Sequence, residues 1–212
     1  MMKKRMCGIA LVMVVLIMQL SAFASSYATY SVSGGKAVLS DTDNLGEYVT
    51  VPEAFEGAVI EGIGANSFEG DVNLKSVNLP ETVAFIEWGA FENCENLTNV
   101  NIPEKVAMIE DMTFSGCKSL AEIKLPAKLM AVGVKAFAGT ALKEVVIPEE
   151  TQAIDIKAFE NCAQLEKVTL PAGLVYIGEG AFDGCKNVTV ECVKGTYAEH
   201  YLKSNNVSYI AR

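Results

Sequence analysis

Five cysteines carry the strongest chemistry that this sequence offers after residue 24: Cys94, Cys117, Cys162, Cys185 and Cys192. Thiols can form disulfides, bind metal ions or act as nucleophiles. No C-x-x-C pair occurs among them, so their spacing does not indicate zinc. Five cysteines cannot all pair within one chain, which excludes a complete internal disulfide framework.

Candidate catalytic groups are few. The single histidine, His200, falls in a predicted C-terminal helix next to Glu199, and we interpret it as a surface helix residue rather than a general base. No Ser/His/Asp set can be assembled without it, and no G-x-S-x-G motif occurs. The carboxylates form no repeated pair of the kind that glycosidases use. The sequence therefore predicts a non-catalytic protein without a cofactor.

The segment DTDNLGE, residues 41–47, has the composition of a calcium-binding loop. Leu45 stands where a ligand is required before Gly46, and the twelve-position pattern fails. We interpret the segment as a turn rich in Asp and Asn, and we predict no metal site.

The first 24 residues have the pattern of a secretory signal peptide. Cations at positions 3–5 precede an apolar run over 8–18, which is too short for a comfortable membrane span. A small-x-small cleavage site follows at 22–24, with a second candidate at 26–28. An uncleaved membrane anchor is the alternative. Removal of the three cations takes the net charge from −9 to −12, which argues against nucleic acid or an anionic membrane surface as a partner.

Two residue types recur with one period along the chain. Phenylalanine stands at 68, 91, 114, 137, 159 and 182, and proline at 80, 103, 126, 148 and 171. Each series has intervals of 23 residues except one of 22, because a residue is missing between Phe137 and Leu142. A unit this small cannot bury its own apolar face, so neighbouring units must stack around a shared core. The period predicts a repeat solenoid that is mostly β.

Within each repeat, L-x-x-[VI]-x-[LI]-P predicts a short strand with one buried face that ends at the proline. Equivalent strands should lie in parallel about 4.8 Å apart. The outward positions are our candidate partner-binding residues: Ser76, Asn78, Asn99, Asn101, Glu122, Lys124, Glu144, Lys167 and Thr169, with Val146 in the same columns. Trp88 is a further candidate, because charged residues share its column and it should reach the surface. A merely solvated sheet is the alternative.

Four of the cysteines, all but Cys192, occupy one column of the repeat, and Thr140 stands near that column in the short repeat. Stacked turns would bring equivalent Cα atoms within disulfide range, in the pairs Cys94 with Cys117 and Cys162 with Cys185. Equivalent side chains point the same way, however, and a disulfide needs Cβ atoms that converge. We favour buried free thiols that fill the core, with disulfides as the alternative.

The repeat resembles the leucine-rich repeats of the BspA-like bacterial surface proteins. The shared signature is L-x-x-[IV]-x-[IL]-P followed by I-G-x-x-A-F-x-x-C, and its second half appears as IGANSF, IEWGAF, IEDMTF, VGVKAF, IDIKAF and IGEGAF. The resemblance covers roughly residues 49–193. It implies a curved right-handed solenoid with a parallel sheet on the concave face. It also implies exported or cell-surface proteins, often in adhesion or host contact, without a shared catalytic centre.

Both ends depart from the repeat, as terminal repeats should. Residues 25–48 alternate in polarity around a Gly-Gly turn at 34–35, which predicts a β-hairpin cap. The repeat domain, 49–193, carries an insertion of five residues in its first turn, between positions 52 and 63. Residues 194–212 predict a second cap, with a helix that begins near Thr196, stops at 205–206 and precedes a short strand.

Together these features predict a secreted or cell-surface protein that acts as a non-catalytic binding or adhesion module for a protein or glycan. The alternative is a structural spacer or assembly platform of the cell envelope. We expect a monomer that binds no nucleic acid and has no membrane span once the signal peptide is removed.

Overall fold

Each repeat forms one turn of a β-solenoid. The structure is a computed structural model that describes residues 11–17 and 26–212. It contains about eight turns of stacked parallel strands and one short helix. The predicted fold class is confirmed.

The phenylalanine column forms a continuous ring stack through the core. From Phe68 to Phe182, successive ring centroids lie 5.0, 5.4, 5.5, 5.4 and 5.8 Å apart, with planes within 12° of parallel. The backbone N–H of each ring residue from Phe68 to Phe159 donates to the next turn, as Phe91 does to the Thr113 carbonyl at 2.9 Å. The column therefore sets both the packing and the register of neighbouring turns.

Each turn passes through left-handed backbone two residues after its phenylalanine. Glycine or asparagine fills that position in every repeat, at Gly70, Asn93, Gly116, Gly139, Asn161 and Gly184, with φ between 57° and 77°. These two residue types tolerate this conformation best. The backbone requirement explains why F-x-[GN] precedes the cysteine column.

One sheet, here called the front sheet, contains the strands that follow the repeat leucine. It consists of β4 (Tyr48–Thr50), β7 (Ser76–Asn78), β9 (Asn99–Val100), β12 (Glu144–Val146), β14 (Lys167–Thr169), β16 (Thr189–Cys192) and β17 (Tyr209–Ala211). All of its pairings are parallel. It is divided into β4-β7-β9 and β12-β14-β16-β17, because the strand predicted around 122–125 pairs with neither group. The prediction of one continuous sheet is wrong at this turn.

The second sheet, here called the side sheet, contains the strands that end at the repeat isoleucine. Its strands are β6 (Ala58–Ile63), β8 (Phe85–Ile86), β10 (Met108–Ile109), β11 (Ala131–Val132), β13 (Ala153–Ile154) and β15 (Tyr176–Ile177). They pair within two groups, β6-β8 and β10-β11-β13-β15, and β8 lies against β10 without strand pairing. In β8, β10, β11, β13 and β15, the last residue of the strand is buried and the residue before it faces outward. The core lies between the front sheet, the side sheet and the phenylalanine turns.

The N-terminal cap is a hairpin of β2 (Ser26–Ser33) and β3 (Lys36–Asp43), joined by Gly34 and Gly35 with positive φ. β3 extends the side sheet by parallel pairing with β6, and the inserted residues form β5 (Ala54–Phe55), which pairs antiparallel with β6. The predicted signal peptide lies outside the described residues except for β1 (Leu11–Ile17), which pairs antiparallel with β2.

The C-terminal cap is the helix α1 (Tyr197–Ser204) followed by β17. Ala198 and Leu202 are its buried residues, and the Tyr201 hydroxyl donates to the Gly178 carbonyl at 2.7 Å. Among residues 11–17 and 26–212, no helix is both long and apolar enough to cross a membrane.

Candidate recognition site

All of the candidate partner-binding side chains lie on the outward side of the front sheet, except Trp88. Asn78, Asn99, Glu122, Lys124 and Glu144 are exposed. The remaining four are partly buried: Ser76, Asn101, Lys167 and Thr169. Trp88 stands elsewhere, after β8, with 49% of its surface exposed.

Asn101 makes hydrogen bonds that stabilise the fold. Its side-chain oxygen accepts from the Leu79 N–H at 2.7 Å, and its side-chain nitrogen donates to the Leu79 carbonyl at 2.8 Å. The amide thus replaces the strand pairing that ends after Val100. Asn99 donates to the Ser76 hydroxyl at 3.2 Å, so this end of the front sheet is braced by its own side chains.

Lys167 is also engaged within the protein. Its ammonium lies 3.2 Å from the carboxylate of Glu191, which is buried and also pairs with Arg212. This cluster ties β14, β16 and the C-terminal strand together. The free polar groups of the front sheet are therefore concentrated between these two braced ends.

The interruption of the front sheet leaves a groove between its two braced ends. The Lys143 N–H still donates to the Ala121 carbonyl at 3.2 Å, but within the described chain no backbone hydrogen bond joins residues 122–125 to either neighbouring turn. Ile123 is only partly buried, although Val100 and Val145 in its column are buried. The N–H and C=O groups of 122–125 are consequently without ladder partners in the neighbouring turns.

The groove has a volume of about 600 Å³. Ile123, Leu125, Val146 and Pro148 form an apolar floor, and Val146 is 68% exposed. This volume lies within the range of sites that bind ligands, and the floor can accept an apolar side chain.

Carboxylates dominate the rim of the groove. Glu104, Glu144 and Glu149 line it, and Lys124 is the one cation among the lining residues. The Lys124 ammonium lies 4.0 Å from Glu104, whose carboxylate also accepts from the Ala127 N–H at 2.9 Å. The rim therefore favours a ligand that carries positive charge. Sequence reasoning identified Lys124 and Glu144 but missed Glu104 and Glu149, because the repeat template treats them as turn residues.

The cysteine column is a feature of the core. Cys94, Cys117, Cys162 and Cys185 are free and buried, and each thiol donates to the carbonyl of the preceding turn's phenylalanine at 2.9 to 3.2 Å. Burial raises the pKa of the Cys94 thiol to about 12 and also raises that of Cys117. A thiol that remains protonated at neutral pH is a poor nucleophile, so Cys94 and Cys117 act as core fillers and donors. The hydrogen bond from Cys185 instead lowers the pKa of Cys162, which is equally buried.

Two other candidate groups lie away from the groove. His200 is exposed on α1, and its Nδ1 lies 2.8 Å from the Thr196 carbonyl of its own helix. Asn44 and Gly46 in the segment 41–47 adopt positive φ, as expected of a turn. In the part of the chain that the structure describes, no three His, Cys, Asp or Glu side chains are grouped to hold a metal ion.

Comparison with known proteins relates the chain to one repeat family. The family model described as BspA type leucine rich repeat region matches residues 61–189 in six copies. No curated protein matches the chain significantly.

Three solved structures are similar to this chain. A leucine-rich repeat protein from Bacteroides ovatus is 33% identical with a TM-score of 0.74, and the match covers 81% of this chain but only 47% of that one. The T. pallidum leucine rich repeat protein is 25% identical with a TM-score of 0.74, and the match covers 86% of this chain and 94% of that one. The pneumococcal vaccine antigen PcpA shares the fold at 21% identity, with a TM-score of 0.64 over 85% of this chain and 50% of that one.

Proposed function

The chain belongs to the BspA-type leucine-rich repeat family, and from this premise we propose that it is a secreted or cell-surface binding module without catalytic activity. The N-terminal pattern of cations, apolar run and small-x-small site supports export. The thiols and the single histidine are engaged in core or helix contacts, which supports a role in recognition rather than chemistry.

The groove at 122–125 is the observation that carries this proposal. It combines unpaired backbone groups, an apolar floor and an acidic rim in the middle of the front sheet. These features suit an extended polypeptide segment that places an apolar side chain on the floor and basic side chains at the rim. No aromatic ring lines the groove, so the stacking surface on which a sugar would lie is missing there. We therefore favour a protein partner over a glycan.

Capture experiments with matched variants test the proposal. The purified chain is immobilised, and host-surface and cell-envelope extracts are passed over it alongside Val146→Asp and Glu144→Lys variants. Val72→Asp is the control, because Val72 is also exposed and apolar but lies in a turn away from the groove. We expect a saturable, salt-sensitive partner that the wild type and the control retain and both groove variants lose.

The spacer alternative predicts a different result. A structural platform would show no saturable partner, or it would retain the same partners whichever variant is used. Either outcome contradicts a recognition role for the groove.

A further inference from the structure

A second surface, on the side sheet, is unusual in having no charge. The two residues before each repeat isoleucine occupy positions 84–85, 107–108, 130–131, 152–153 and 175–176. Nine of these ten residues are apolar, the tenth is Gln152, and all ten are exposed or partly exposed. We call this surface the side stripe. In a chain with a net charge of −9, an uncharged stripe across five turns stands out from the polar front sheet.

Strand pairing makes the side stripe continuous. Met108 lies beside Ala131, which lies beside Ala153, which lies beside Tyr176 in the parallel register of the side sheet. β8, with the outward Phe85, lies against β10 and extends the stripe by one turn. Met108 and Met130 at its centre are 45% and 51% exposed. Contiguous apolar exposure of this kind marks interaction surfaces, and flexible methionines adapt to varied partners.

The borders of the side stripe are acidic. On the side after the isoleucines stand Glu87, Glu110, Asp111, Asp155 and Glu179, with no cation at the two positions that follow each isoleucine. On the opposite side, positions 81, 104, 149 and 150 are glutamates and only 105 and 128 are lysines. A partner must therefore be apolar in the middle and positive on both flanks.

We propose that the side stripe docks a cationic amphipathic helix of a partner protein. Five turns are separated by four spacings of about 4.8 Å, so the stripe is about 19 Å long. A helix of about 13 residues spans this length. Apolar residues at i, i+3, i+4 and i+7 of that helix lie on the stripe, and lysines or arginines on its flanks face the acidic borders. A second copy of this chain would place its own acidic borders against the acidic borders of the stripe. An anionic lipid surface would likewise place negative charge there, so neither partner is complementary. The apolar residues of the side stripe do not line the groove at 122–125, although Glu104 and Glu149 border both surfaces.

A designed peptide tests the proposal directly. The probe is a fluorescent 14-residue helix of leucine and lysine with one leucine face, and fluorescence anisotropy measures its binding to the full chain. In the test variant, Met108→Gln and Met130→Gln remove apolar surface without changing charge. We expect binding about tenfold weaker in that variant. The control Val72→Thr and the groove variant Val146→Asp should bind the peptide like the wild type.

Further measurements separate the alternatives. We expect that a peptide of the same composition in scrambled order, without an apolar face, binds weakly, and that added salt weakens the binding of the probe. Equal binding by the methionine variant and the control, or equal binding of a leucine–glutamate helix, would overturn the proposal. So would sedimentation that shows a dimer which the methionine variant abolishes, because the occupant would then be a second copy. Circular dichroism of each variant establishes that the fold is intact.

Discussion

At the scale of single residues, the cysteine column shows why a chemically reactive residue type can be structural. Each thiol fills a small space beside the phenylalanine stack and donates to a phenylalanine carbonyl of the preceding turn. Thr140 occupies the column in the short repeat and donates to the carbonyl of its own turn, at Phe137, while lying 3.2 Å from Cys162 Sγ. A small side chain with one donor is what the position requires, and reactivity is incidental to it.

The raised pKa of Cys94 predicts that stability falls in alkaline solution. An unfolded thiol ionises near pH 8.5, whereas burial keeps the folded thiol protonated up to about pH 12. The unfolded state therefore releases a proton that the folded state holds, and this thiol's stabilisation is complete below pH 8.5 and is lost as the pH rises. Between pH 8 and pH 10, Cys94 should contribute a loss of about 2 kcal/mol in the free energy of unfolding.

Urea unfolding at the two pH values, by circular dichroism, measures this contribution. A Cys94→Ala variant should lose less stability between pH 8 and pH 10 than the wild type does. Thr113→Ala is the control, because it truncates another fully buried side chain without removing an ionisable group, and its pH dependence should equal that of the wild type. If Cys94→Ala has the same pH dependence as the control, the buried thiol does not titrate as argued.

At the scale of elements, the sequence determines what lies inside each turn better than how neighbouring turns pair. The phenylalanine, proline and isoleucine columns predict the strands and the turns, because each column fills one position in a shared core. The groove was not predicted, since Glu122 to Leu125 match the repeat template as well as any other strand. Pairing depends on how closely two turns approach, and a template of single turns does not contain that distance.

One feature of the sequence marks the place where strand pairing in the front sheet is missing. The repeat that follows the interruption is the one shortened by one residue, between Phe137 and Leu142. The phenylalanine stack continues past this point with centroids 5.5 and 5.4 Å apart, so the turns stay together on the ring side. At the front sheet, by contrast, residues 122–125 make no backbone hydrogen bond with the turns beside them. Irregular repeat length is therefore a signal by which such a groove could be sought.

The ring stack predicts that removing a phenylalanine ring lowers the free energy of unfolding by an amount that depends on where the ring lies in the stack. Phe114 is fully buried between Phe91 and Phe137, whereas Phe182 ends the stack and contacts one ring. Phe114→Ala should lower the free energy of unfolding by about 3–5 kcal/mol, because it leaves a cavity with rings on both sides. Phe182→Ala should cost clearly less, and urea unfolding monitored by circular dichroism compares the two. Equal losses would mean that the stack does not act as a continuous element.

At the scale of the whole molecule, the two surfaces that we propose for recognition differ in their chemistry. The front sheet is polar and braced at both ends, with one acidic groove between the braces. The side stripe is apolar with acidic borders. Both surfaces are bordered by acidic side chains and would favour positively charged ligands. In our proposals, one takes an extended segment and the other a helix. A solenoid can present both because its repeated columns give each face a separate composition.

The C-terminal cap controls the stability of the last turns, since a stack of repeats opens first where its core is uncovered. Leu202 is fully buried on α1, which packs against β15 and β17, so Leu202→Ala should lower the free energy of unfolding by about 2–5 kcal/mol. Relative to the wild type, hydrogen exchange in this variant should become faster at the amides of Phe159 and Val190. It should change less at the amide of Phe68, which lies far from this end. Lys203→Ala is the control, because Lys203 is the exposed neighbour on the same helix. Faster exchange spread evenly from Phe68 to Val190 would instead show that the solenoid unfolds as a single cooperative unit.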